Sequence, residues 1–408
     1  MHKVRFNNRI VHVPDRMILS DILIKSGENL PHLCGGKGTC KKCLVTVNGK
    51  EELSCQYEIK SDIDVVLPEN DDIISETGVN EIGEITESCC FCLDIGTTTL
   101  ALALVSLDKK EIIKVKTATN PQRVYGGDVM NRIEHCNKNG ISELQKCLTD
   151  TINNMIDEIG VDSVNAMYVS GNTTMLHIFF GVDPSSIGVA PYTPAFLESK
   201  AINGNKIGLK SIKNIISLPC ISAFVGADLV AGLNFADLPK ENKHNLLIDL
   251  GTNAEIVLYN INELYCTSAA AGPCFEGANI TCGMSATDGA IYSYSLDGSY
   301  KTINNTQPKG ICGTGLIDII TVLLEKGIID ETGYMENEEF FITDTIKLTQ
   351  KDIRQFQLAK SAVYSGILSL LKEKLISSSD IEKIFISGGF SAKINIENAI
   401  KTGWSIRA

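Results

Sequence analysis

The sequence predicts an α/β protein in two parts: a small mixed sheet, then a larger domain made of two similar halves. Three observations predict it. Residues 1–70 read strand, strand, helix, loop, strand in their apolar pattern. The acidic, weakly patterned stretch from Pro68 to Ser88 then gives way at Cys89 to short apolar strands alternating with helical stretches. Finally, Leu93-Asp94-Ile95-Gly96-Thr97-Thr98 is echoed 155 positions later by Ile248-Asp249-Leu250-Gly251-Thr252-Asn253, each followed by a second apolar strand. Duplicated half-domains facing one another across a cleft would produce that echo. The expected boundaries are 1–70, an acidic linker over 71–88, and 89–408.

In the first part, Lys3–Phe6 and Ile10–Val13 form a hairpin by their alternation. Asp15 is placed to cap a helix carrying Ile18, Leu19, Ile22 and Leu23, which Gly27 would close. Strands follow at Leu44–Val47 and near Ile63–Leu67. Between helix and strand lies a cysteine loop, Cys34, Cys40 and Cys43, with Cys55 arriving beyond the next strand; the spacing is C-x5-C-x2-C-x11-C. Four thiolates complete two tetrahedral irons bridged by sulfide, and Gly35, Gly36 and Gly38 let the backbone wrap tightly and aim N–H groups at the sulfurs. The spacing is similar to that of plant-type and succinate-dehydrogenase-type ferredoxin domains. A zinc knot would favour paired C-x2-C units, and only one is present. We therefore expect a [2Fe–2S] cluster in a β-grasp ferredoxin domain. Of the 14 cysteines the other ten are scattered through apolar segments, and Cys89-Cys90-x-Cys92 reads as core cysteine at the start of a strand.

Composition narrows the partners. With 49 Asp+Glu against 37 Lys+Arg the formal net charge is −12, which argues against nucleic acid or an anionic membrane as the main partner. No apolar run is long enough to span a bilayer, and the N-terminus lacks the apolar core of a signal peptide, so a cytoplasmic location is expected. His2, His12, His32, His135, His177 and His244 show no metal-ligand spacing.

In the larger part, Gly96, Thr97 and Thr98 end a strand in a tight turn whose N–H groups and hydroxyls can hold phosphate oxygens, while Asp94 can hold Mg²⁺. Asp249, Gly251, Thr252 and Asn253 offer the same equipment. Gly313 and Gly315, within Gly310-Ile311-Cys312-Gly313-Thr314-Gly315, precede a helix over Leu316–Lys326 whose N-terminus could approach a ligand. Gly388 and Gly389 end an apolar strand in a turn where a nucleobase and ribose can lie against bare backbone.

The order of these segments is similar to the actin, sugar-kinase and heat-shock ATPase superfamily, whose duplicated RNase H-like fold carries two phosphate loops, a connecting helix and an adenosine loop. A [2Fe–2S] domain ahead of such a fold resembles the reductive activators of corrinoid proteins. Ser170-Gly171-Asn172-Thr173-Thr174-Met175, Val225-Gly226-Ala227-Asp228 and Ala271–Ala278 add to the likeness. The resemblance implies an ATP-dependent enzyme that returns an oxidised Co(II) corrinoid to Co(I). Its partners would be a corrinoid protein or methyltransferase and a low-potential electron donor; a homodimer is one assembly the sequence allows. In that mechanism Asp94 and Asp249 would position Mg²⁺ and water, with Glu255 and Asp228 as candidates for orienting the attacking water. Two departures accompany the resemblance. Larger members place a further domain where this chain has the acidic linker, and the chain stops at Ala408 soon after the Gly388-Gly389 turn, which predicts a shortened second half. A kinase with a redox-sensing ferredoxin, and a non-enzymatic electron-transfer or docking protein, are the competing readings.

Overall fold

In the N-terminal domain, strands β1 (His2–Phe6) and β2 (Arg9–Val13) form a hairpin turned by Asn7 and Asn8, both at positive φ. The computed structural model describes residues 1–28, 30, 35–38, 43–68, 80–81, 83, 88–251, 253–389 and 393–404. Helix α1 (Leu19–Lys25) follows, then β3 (Leu44–Val47), β4 (Lys50–Leu53) and β5 (Ile63–Val66), in the sheet order β2-β1-β5-β3-β4. Val4, Leu19, Leu23, Ile59 and Ile63 close the core on one face of this β-grasp sheet. Two sequence expectations change. Helix α1 starts at the N-cap Ile18, with no side-chain cap, and Asp15 instead pairs with His2 at 3.0 Å. Strand β4 was not anticipated: Lys-Glu-Glu-Leu on a sheet edge carries no apolar alternation, and the Asn48-Gly49 turn, not burial, fixes its register.

The chain divides into two compact units, Met1–Asp228 and Leu229–Ala408. Beyond the ferredoxin sheet, the first unit holds β6 (Asn80–Glu81), β7 (Cys89–Ile95), β8 (Thr99–Ser106), β9 (Glu111–Thr119), α2 (Val129–Asn139), α3 (Ser142–Ile159), β10 (Val164–Gly171), α4 (Thr173–Phe179), β11 (Ala201–Asn203) and β12 (Ile212–Ser217). The sheet order is β11-β12-β10-β7-β8-β9-β6, with β7, β8 and β9 antiparallel and β10 running parallel to β7. Helix α3 buries Leu148, Ile152, Met155, Ile156 and Ile159, a stripe at helical spacing that joins Leu100, Leu102 and Leu104 in the core. Strand β6 lies inside the expected acidic linker and pairs with β9; most of that linker falls outside the described residues. Cys90 is buried in β7, and burial pushes its thiol up to about 11, which suits packing more than ligation.

The unit boundary falls within α5 (Ala227–Phe235). The second unit then runs β13 (His244–Leu250), β14 (Ala254–Tyr259), β15 (Leu264–Ala269), β16 (Ala290–Tyr294), β17 (Tyr300–Thr302), β18 (Gly310–Ile311), α6 (Gly313–Glu325), β19 (Glu339–Phe341), β20 (Lys347–Thr349), α7 (Gln350–Lys374), β21 (Ile381–Ser387) and α8 (Ile396–Ala399). Its main sheet is β15-β14-β13-β21, again an antiparallel triplet with one parallel strand added beside the first. Helix α6 begins one turn before the predicted start and is buried from Gly313 to Leu323. Helix α7 opens on a capping box between Thr349 and Asp352. Among the described residues no helix is long and apolar enough to cross a membrane.

Candidate functional site

Cys43 and Cys55 sit in the ferredoxin domain, while Gly35 and Lys37 of the cysteine loop meet Asn131 and Glu134 of α2. Cys43 and Cys55 are 1% and 5% exposed, neither is in a disulfide, and the Ser54 N–H donates to the Cys43 carbonyl at 3.0 Å, holding the two segments together. Cys34 and Cys40 lie outside the described residues. Gly35, Gly36 and Gly38 have φ of +59°, +82° and +72°, conformations that would strain a side chain. Gln56 was not foreseen. Its Nε2 donates to the Gly36 carbonyl at 2.6 Å and approaches the Cys55 sulfur at 3.7 Å, tying the glycine loop to the last cysteine. The Ser54 hydroxyl, fully buried beside Cys55, has no hydrogen-bond partner among the described residues. Buried thiols on a wrapped loop with a spare donor beside them fit a cluster of bridged irons.

In the first unit, Asp94 sits near the end of β7 next to Ser170 on the parallel strand β10, and the Ser170 hydroxyl donates to it at 3.0 Å. Asp94 is open to solvent yet set among dense protein; that crowding lifts its carboxyl above the ordinary range, against the pull of the Ser170 hydroxyl. The exposed carboxylate leaves its oxygens within reach of a cation. The turn Gly96–Thr99 is held from three sides. The Asn120 amide donates to the Gly96 carbonyl at 2.8 Å, the Asn172 amide to the Thr97 hydroxyl at 3.1 Å, and the Arg132 guanidinium to the Thr97 carbonyl at 2.6 Å. Asn172 also caps α4 through the Met175 N–H. Gly226 packs so tightly that a Cβ there would lie 2.4 Å from the Asn172 Cα, which brings the Val225–Asp228 segment against this cap.

The second unit repeats the arrangement by register. Asp249 on β13 stands opposite Ser387 on β21, as Asp94 stands opposite Ser170. A Cβ on Gly388 would lie 2.1 Å from the Leu250 carbonyl, and one on Gly171 2.8 Å from the Ile95 carbonyl, so equivalent glycines meet equivalent strands. The other neighbour of Asp249 is Glu255, directly across the antiparallel pair; the corresponding neighbour of Asp94 is Ala101. Two carboxylates opposite one another repel, and such a pair invites a cation. Gly251 and Asn253 form the turn, the Gly251 N–H donating to the Asn253 carbonyl at 2.9 Å; Thr252 lies outside the described residues. Gly389 meets nothing within 4 Å among the described residues. The Ser387 hydroxyl is buried with no partner among them.

Gly313 and Gly315 have a packing explanation. A Cβ on either would lie 2.1 Å from a backbone carbonyl, of Phe275 and Ile291 respectively, so their smallness lets α6 seat against the chain. Asn120 and Arg132 escape sequence reasoning because nothing in a lone Asn or Arg announces a contact 24 or 35 positions away, whereas Ser170 lies in a stretch the family likeness already marks without a stated role.

Three family models match the chain. The "2Fe-2S iron-sulfur cluster binding domain" matches residues 4–64, the "RACo middle region" 89–241, and the "C-terminal domain of RACo the ASKHA domain" 243–406. The chain belongs to the RACo-like family. A solved structure of a "Reductive activator for corrinoid, iron-sulfur protein" is 26% identical, with a TM-score of 0.69 over 99% of this chain and 89% of that one. "Corrinoid activation enzyme RamQ" of Eubacterium limosum is 27% identical over 95% of this chain and 86% of its own length. "[Co(II) methylated amine-specific corrinoid protein] reductase" of Methanosarcina barkeri is 27% identical over 76% of this chain and 64% of its own. This RACo-like chain therefore pairs an iron–sulfur domain with an ASKHA-type fold, as its segment order predicted.

Proposed function

We propose that this chain is an ATP-dependent reductase that returns a partner corrinoid protein from Co(II) to Co(I), one electron at a time. The reading is carried by one conjunction: buried cluster cysteines in a ferredoxin sheet, on the same chain as a twice-repeated Asp-and-turn at Asp94 and Asp249. The printed names of its relatives supply the partner class.

Cys34, Cys40, Cys43 and Cys55 would hold the [2Fe–2S] cluster, which when bound supplies a one-electron carrier between a low-potential donor and the cobalt. Gln56 ties the glycine loop to Cys55, the last of these ligands. Asp94 and the Asp249–Glu255 pair are the proposed seats for Mg²⁺ and water; the N–H groups and hydroxyls of Gly96, Thr97, Thr98, Gly251, Thr252 and Asn253 would take phosphate oxygens. Gly389 leaves bare backbone for an adenosine. Nucleotide can assist an uphill reduction only through differential affinity for two states, one of which docks the corrinoid protein and eases its reduction.

The test reconstitutes the cluster, adds corrinoid protein and excess chemical reductant, and follows Co(I) absorbance with and without MgATP. Co(I) formed only with MgATP is the expected result. Co(I) formed equally without it, or none with any corrinoid protein, overturns the reading. A phosphorylated small-molecule product would establish the kinase instead, and absence of nucleotide binding the non-enzymatic carrier.

A further inference from the structure

We propose that α2 is a strut tying the first phosphate turn to the cluster loop, so that nucleotide at the turn alters the accessibility of the cluster. The proposal rests on the reading above, that the turn takes nucleotide and the loop a cluster, and it names Arg132, Asn131 and Glu134 as positioning residues.

Arg132 is fully buried without a carboxylate among its hydrogen-bond acceptors. Its guanidinium donates to the Thr97 carbonyl at 2.6 Å, the Gly126 carbonyl at 3.0 Å and the Gln122 side-chain oxygen at 3.1 Å, with the Met175 sulfur at 3.0 Å. Burial lowers it to about 10, so it stays charged at neutral pH. A buried cation satisfied by three oxygens has one geometry, and the Thr97 peptide is part of it. Phosphate drawn to the N–H groups of that turn would be felt at Arg132.

The adjacent face of the same helix carries the cluster loop. A Cβ on Gly35 would lie 2.9 Å from the Asn131 side-chain oxygen, so the loop backbone rests on Asn131. Asn131 is itself pinned, its backbone N–H and side-chain amide each donating to Asp128 at 2.8 Å. One turn on, Glu134 pairs with Lys37 of the loop at 3.3 Å and with Lys138 at 2.7 Å. Burial holds the His135 imidazole below its ordinary value, with Glu143 and, more weakly, Asp21 of α1 pulling the other way. Residues 131, 134, 135 and 138 share a face at helical spacing, with Arg132 turned inward beside them. A short capped helix moves as one body, so its two contacts are mechanically joined, and any coupling is reciprocal.

The experiment uses the full chain with its cluster assembled, verified by visible circular dichroism. It measures the rate at which a chelator bleaches the cluster, with and without a non-hydrolysable ATP analogue whose binding is measured separately by calorimetry. The analogue should change the bleaching rate by about two- to fivefold, the scale set by an exposed ion pair. Glu134→Lys, an exposed helix change, should abolish that response while shifting analogue affinity by no more than about the same two- to fivefold, and Glu134→Lys with Lys37→Glu should restore it. A response absent from wild-type protein that binds the analogue overturns the strut and leaves the proposed function standing. A response that persists in Glu134→Lys, or that the charge swap fails to restore, also overturns the strut. Protein that binds no analogue overturns both.

Discussion

The two Asp-and-turn segments share a register and differ in what surrounds it. In the first unit the turn is braced by Asn120, Asn172 and Arg132, and its Asp has Ala101 for a cross-strand neighbour. In the second, Gly388-Gly389 stands where Gly171-Asn172 stands in the first, the Asp faces Glu255, and the serine opposite has no partner among the described residues. The difference teaches that one register can be built in two ways: side chains brace the first turn, whereas the second sets a carboxylate pair next to two consecutive glycines.

The largest expected effect tests the extra carboxylate. Glu255→Gln should lower MgATP-driven Co(I) formation by about 10²-fold, the scale of a lost general base, with folding intact by circular dichroism. An unchanged rate would reduce the second unit to a copy of the first. Next come the paired glycines. Gly388→Ala should destabilise by about 3 kcal/mol and Gly171→Ala by about 1–2 kcal/mol in urea titrations, since overpacking against an immovable carbonyl grows steeply as the gap closes. Equal losses would mean that the two strand crossings are not graded as their distances of 2.1 and 2.8 Å indicate.

The position after each glycine separates brace from opening. Asn172→Ala loses a helix cap and should cost about 1 kcal/mol. Gly389→Ala, with nothing within 4 Å among the described residues, should change stability by no more than about 0.5 kcal/mol, yet weaken nucleotide binding in a calorimetric titration.

The smallest effect concerns pH. The folded Asp94 carboxyl is raised above its ordinary value of 3.8, so from 3.8 up to that raised value the folded chain keeps a proton that the unfolded chain has lost. Stability should therefore fall as pH rises through that window. Asp94→Asn should flatten the slope in urea midpoints collected from pH 3.8 upward, and Ser170→Ala, which removes the opposing hydroxyl, should steepen it. A slope unaltered by Asp94→Asn would assign it to another group.

Much of this is legible in the sequence. Local chemistry marks the cysteine spacing, the Asp-x-Gly-Thr echo and the amphipathic stripe of α3, because ligand count, turn geometry and burial each impose a short-range pattern. Strand β4 was hidden because an exposed edge strand needs no apolar period. Asp15 has the residue type of a cap, but the chain enters α1 where the Leu19 N–H donates to the Tyr57 carbonyl.

Gly313 and Gly315 show the limit of motif reasoning. A glycine run before a helix is equally suited to a ligand and to a neighbouring carbonyl, and only the packed structure supplies the carbonyls of Phe275 and Ile291. By itself, the sequence determined the two kinds of domain, the four cluster cysteines as candidates and the duplication, since each is written in spacing along the chain. Tertiary structure alone decided that Arg132 grips Thr97, that Asn131 and Glu134 hold the cluster loop, and that Glu255 stands beside Asp249. The first two are meetings of residues distant in sequence, which no local pattern encodes; the third needs only the hairpin register, which places Glu255 across from Asp249.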